Sequence, residues 1–80
     1  MKHNLPLCAK VQESLETYFD HLDGSIPRNL YQMVLSEVEV PLFKVVMKQV
    51  GNNQSKTADI LGLSRGTLRK KLQQYGLDRG

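Results

Sequence analysis

Tryptophan is absent from this chain, and Cys8 is its single cysteine. One cysteine excludes an intrachain disulfide. With only two well-separated histidines, His3 and His21, it also leaves no ligand cluster of the kind a structural zinc site needs. No segment reads as a signal peptide or a membrane span, so a reducing, cytosolic setting fits best. The chain also lacks a clustered nucleophile and base, a phosphate loop and a metal set, which argues against an enzyme and against a cofactor. Aromatic residues are few, and Tyr18, Phe19, Tyr31 and Phe43 are read as packing residues, with Met33 and Met47 as core gap-fillers. At 80 residues the chain is one domain, and a domain this small buries only about 60% of the surface its unfolded form exposes. A partner subunit would make good the deficit.

Acidic residues are scarce in one region only. Residues 1–50 carry Lys2, Lys10, Arg28, Lys44 and Lys48 against Glu13, Glu16, Asp20, Asp23, Glu37 and Glu39, a balance of −1. Residues 51–80 carry Lys56, Arg65, Arg69, Lys70, Lys71 and Arg79 against Asp59 and Asp78, a balance of +4. The formal charge of +3 is therefore modest in total but concentrated in the C-terminal third, the footprint of a surface that meets a polyanion.

Hydrophobic spacing predicts helices throughout. Leu7, Val11, Leu15, Tyr18 and Leu22 recur at intervals of three and four with polar residues between them, so residues 6–22 read as an amphipathic helix with Pro6 in its first turn. Gly24 is the expected left-handed stop, and Pro27 or Asn29 opens the next element. Residues 28–50 are helical in period but apolar on more than one face, through Leu30, Val34, Leu35, Val38, Leu42, Val45, Val46 and Val50 among others. Pro41 removes the donor for the carbonyl of Glu37 and should bend this helix without ending it. One neighbouring helix cannot cover so much apolar surface. Two copies packing these helices into a four-helix core would, which predicts a homodimer built on residues 6–50 in which folding and association are one event.

Residues 51–77 read as two short helices joined by a tight turn. Asn53 can cap the first, Ala58 is small enough for a second helix to cross closely, Gly62 supplies a positive φ, and Ser64 can cap the second. That is a helix-turn-helix. Leu68, Leu72 and Tyr75 form the inward stripe of its second helix, while Gly66, Lys70 and Gln73 face outward, flanked by Thr67, Arg69 and Gln74. Glycine in a helix costs about 1 kcal/mol relative to alanine, so Gly66 on the outward face suits an external surface that approaches the backbone closely. The basic residues Arg65, Arg69, Lys70 and Lys71 directly after a capped turn make double-stranded DNA the first partner to consider. Arginine at a recognition-helix start can pair with both O6 and N7 of guanine.

The residues Asn53-Gln54, Ala58, Gly62, Arg65 to Leu72 and Tyr75-Gly76 resemble the factor for inversion stimulation (Fis) family, related to the C-terminal domains of NtrC-type sigma-54-dependent activators. Leu30-Tyr31, Val34-Leu35, Glu37-Val38-Glu39, Pro41-Leu42 and Val46-Met47 extend the resemblance upstream, so that it covers residues 10–77. It implies an all-α fold with four helices per chain, long helices intertwined in a homodimer core, and a C-terminal helix-turn-helix. It further implies a DNA-bending, weakly sequence-selective protein of the bacterial nucleoid that also regulates transcription, with two recognition helices in successive major grooves. Arg65 then looks like the base-reading residue. Asn53, Ser55, Thr67, Arg69, Lys70 and Lys71 look like phosphate or groove-wall contacts.

The chain departs from the family pattern at three places. Ser64 stands where the family often has Asn, which leaves capping as its first role beside a place in the DNA-contact set. Gln73 and Gln74 stand where lysines are frequent, removing two charges per subunit from contacts to flanking DNA. The family's N-terminal β-hairpin arm, which engages a DNA invertase, corresponds here only to Met1–Leu5, which counts against an invertase contact. Two other readings are a detached output domain of an NtrC-type activator and a dimeric protein-interaction module without DNA. Met1, the full dimerisation segment and the lack of a linker weigh against the first; the clustered charge weighs against the second.

Overall fold

The computed structural model of the chain describes residues 6–78. Met1–Leu5, on which the comparison of N-terminal arms rests, and Arg79 lie outside the described residues. The fold is all-α, with helices α1 Leu7–Asp20, α2 Leu30–Gln49, α3 Gln54–Leu61 and α4 Arg65–Gln74. The helices α1 and α2 are slightly shorter than the hydrophobic pattern suggests. After Asp20 the chain turns through Asp23 and Gly24, both at positive φ. Asn29 does precede α2, but in a left-handed conformation and with no side-chain capping bond. The helix α2 runs unbroken through Pro41.

The core is confined to the C-terminal half. Phe43 and Met47 from α2, Ala58 from α3, and Leu68 and Leu72 from α4 are the buried hydrophobic residues, with Leu61, Leu63, Tyr75 and Leu77 packed around them. Thr57 is fully buried among them, a polar residue that the hydrophobic pattern does not single out. Its hydroxyl lies 2.9 Å from the carbonyl of Asn53, one turn back, and 3.2 Å from the Met47 sulfur. The hydroxyl is thus satisfied locally, and its methyl group serves as a core atom.

The helix α1 buries no residue. Between α1 and α2 runs a groove of about 780 Å3 lined by Leu7, Val11, Leu15, Tyr18, Val34 and Val45, among others. Met33, Phe19 and Tyr31, which the sequence suggests as packing residues, are exposed, Tyr31 at 75%. Phe43 and Met47 do pack as expected. The Cα radius of gyration is 15.1 Å, against roughly 12 Å expected for a compact chain of this length. The single chain therefore leaves one of its two apolar layers uncovered.

Candidate nucleic-acid interface

Each end of the helix-turn-helix is fixed by the chemistry the sequence supplies. The Asn53 side chain accepts a hydrogen bond from the Lys56 amide at 3.1 Å and so caps α3. The Ser64 hydroxyl accepts from the Thr67 amide at 3.1 Å and caps α4, while donating to the Thr67 hydroxyl at 2.9 Å. Between the helices, Gly62 sits at φ 74°. The Leu63 amide bonds back to the Ala58 carbonyl at 3.0 Å and the Gly62 amide to that of Asp59 at 3.3 Å. This six-to-one and five-to-two pairing ends α3 and turns the chain sharply into α4. The expected caps and turn are all present.

The N-terminal ends of α3 and α4 meet at one place. The Arg65 guanidinium donates from Nη1 to the Ser55 hydroxyl at 3.1 Å. One donor of five is thereby used on an exposed residue. Free amides at both helix starts add partial positive charge at the same end. Gly66, Arg69 and Lys70 are exposed as well. A Cβ built on Gly66 meets nothing within 4 Å. Nothing among the described residues therefore requires glycine there. Gln73 and Gln74 continue the exposed face to the end of α4.

Lys71 is placed differently from its basic neighbours. It is half-buried, and its Nζ lies 3.1 Å from Glu39 Oε2 on α2 and 3.3 Å from Oε1. Among the described residues this is the one ion pair, so Arg65, Arg69 and Lys70 have no carboxylate partner there. Tyr75 donates its hydroxyl to the same Glu39 Oε1 at 2.6 Å, and its ring leans on Phe43 with centroids 6.1 Å apart. From the sequence, Glu39 stands out only as part of the dimerisation segment. The spacing holds a signal all the same, since Lys71 falls three residues after Leu68 and four before Tyr75, on the inward stripe.

The hydrogen bond from Tyr75 to the Glu39 carboxylate, assisted by partial burial and the carboxylate's negative charge, raises the phenol above its ordinary pKa of 10.0. The neutral phenol is the form the fold prefers. Its contribution to stability is therefore fully present below about pH 10 and is lost as pH rises through the raised folded value. Urea unfolding of the wild type should accordingly weaken more steeply above about pH 10 than that of Tyr75→Phe. Parallel curves for the two proteins would remove this bond from the account.

A family model described as a bacterial regulatory protein of the Fis family matches residues 34–75, more than half of the 80 residues. The chain belongs to the Fis family. A protein of Ralstonia nicotianae, described as a Fis-like DNA-binding protein, is 53% identical over 72 residues, 90% of this chain and 94% of that protein. A similarly described protein of Neisseria meningitidis serogroup B is 51% identical over 78 residues, 96% of this chain and 99% of its own length. The DNA-binding protein Fis of Buchnera aphidicola is 50% identical over 74 residues, covering 91% of this chain and 75% of the relative. The Fis-family match begins at Val34 and ends at Tyr75. It therefore takes in the segment of α2 that carries Glu39, Phe43 and Met47, together with the whole helix-turn-helix.

Proposed function

We propose that two copies of this chain form a homodimer that binds and bends double-stranded DNA, acting in the bacterial nucleoid and as a transcriptional regulator. The observation that carries the DNA reading is the outward face of α4. It presents Arg65, Arg69 and Lys70, without carboxylate partners among the described residues, beside a glycine that leaves the backbone open. Membership of a family whose relatives are described as DNA-binding supports the same reading. Arg65 reads bases. Asn53, Ser55, Ser64, Thr67, Arg69 and Lys70 set the helix against phosphates and groove walls.

The open groove between α1 and α2 supports the dimer. A second copy of the same groove, turned about a two-fold axis, brings apolar walls together and completes a four-helix core. This arrangement places two α4 helices at a fixed separation, and a duplex that touches both must follow them. No helix among the described residues is long and apolar enough to cross a membrane.

Sedimentation equilibrium should give twice the chain mass of 9.1 kDa. Electrophoretic shifts with a random duplex and with a guanine-flanked, A/T-rich duplex should both weaken steeply with salt. Lys70→Ala should flatten the plot of log K against log salt by about 0.9 for each phosphate that is no longer neutralised, on both duplexes alike. A monomer, or a protein indifferent to duplex at low ionic strength, would reject the proposal.

A further inference from the structure

The recognition helix carries four cations, and one of them is held by the protein itself. Arg65, Arg69 and Lys70 are exposed, whereas the Lys71 side chain is 28% exposed and that of Glu39, its partner, 14%. Glu39 accepts from both Lys71 and Tyr75, so one carboxylate of α2 grips α4 at Lys71 and, one turn on, its C-cap residue Tyr75. These three side chains tie the recognition helix to the long helix that carries the Phe43 and Met47 core residues.

We propose that Glu39 is a positioning residue that fixes the rotation of α4 on α2, and that Lys71 belongs to this clamp and is not a ligand of DNA phosphate. The proposal rests on the reading of α4 as the duplex-binding helix. To reach a phosphate, Lys71 would have to leave a largely buried carboxylate without its cation, which is costly. In return it would form one phosphate pair in high dielectric, worth little more than an exposed ion pair. The clamp sits six residues beyond Arg65, about 9 Å along the helix axis. Loosening it lets α4 roll and spoils the two-point geometry that a guanine-reading arginine needs. Glu39 also cancels one positive charge per subunit, which lowers sequence-independent attraction. Both effects act in the same direction, toward selectivity.

Two variants of the full chain test this. Lys71→Met should leave the salt slope on a random duplex unchanged while the preference for the guanine-flanked duplex falls severalfold. A slope lowered by about 0.9 per subunit would make Lys71 a phosphate ligand and overturn the proposal. Glu39→Gln frees Lys71, so random-duplex binding should tighten and its slope steepen by about 0.9 for each freed lysine, again with reduced guanine preference. A merely structural role would weaken binding without steepening it. The combined variant should restore the wild-type slope, and failure to do so would reject the charge argument.

A readout without DNA separates this idea from the function on which it rests. Carbon NMR of the Tyr75 ring against pH should show its titration moving down toward the ordinary range in Glu39→Gln. An unmoved titration would refute the clamp even if the protein binds DNA. A wild type that binds no duplex would instead refute the DNA reading, whatever Tyr75 does.

Discussion

Phe43→Ala is expected to detach the helix-turn-helix from α2. Phe43 is 1% exposed and stands in the small cluster that holds α2, α3 and α4 together. Its ring also supports Tyr75. Truncating a buried phenylalanine costs about 3–5 kcal/mol, a large share of the roughly 5–15 kcal/mol that holds an ordinary domain folded. Chemical denaturation with a probe in α4 should therefore show early loss of the C-terminal half, together with loss of duplex binding. Phe43 does not line the groove between α1 and α2, so association of the chains should survive better than DNA binding. A destabilisation below about 1 kcal/mol would mean that the core is not where the fold puts it.

Arg65→Ala is expected to abolish discrimination between guanine-containing and random duplexes while sparing much of the non-specific affinity. A two-point arginine–guanine contact is worth about 1–3 kcal/mol of discrimination, or roughly five- to 150-fold. Arg65→Lys should not rescue it, since a single ammonium cannot present two parallel donors in a fixed plane. Ser55→Ala should have a smaller effect of the same kind, because the Ser55 hydroxyl holds the guanidinium at the α3 end. Competition titrations against both duplexes measure the ratio directly. A uniform loss on both would reassign Arg65 to the backbone.

The parts of this fold that are legible in the sequence are those set by local chemistry. Asn53, Gly62 and Ser64 act within three or four residues of themselves, and each does in the structure what its side chain or lack of one suggests. The stripe of Leu68, Leu72 and Tyr75 follows from helical period alone. What is not legible depends on which helix lies opposite. Thr57 looks like a solvent residue until α2 brings Met47 against it. Lys71 looks like one more cation in a basic run until Glu39, 32 positions earlier, is found beside it. Met33 and Tyr31 look like packing residues from their apolar character. Both are exposed in the single chain, and Met33 lines the open groove that the proposed dimer would cover.

The uneven placement of the enclosed side chains has a consequence for synthesis. Every buried residue among those described lies between Phe43 and Leu72, so a ribosome releases α1 and the front of α2 before any of the segment that folds upon itself. Among the described residues, nothing later in the polypeptide buries a side chain of α1. If the chain pairs as proposed, the first helices are covered only when a second copy arrives, and the supply of finished protein then rises more steeply than in proportion to the rate of translation. A gene expressed in bursts would thus yield more working product than the same output spread evenly through time.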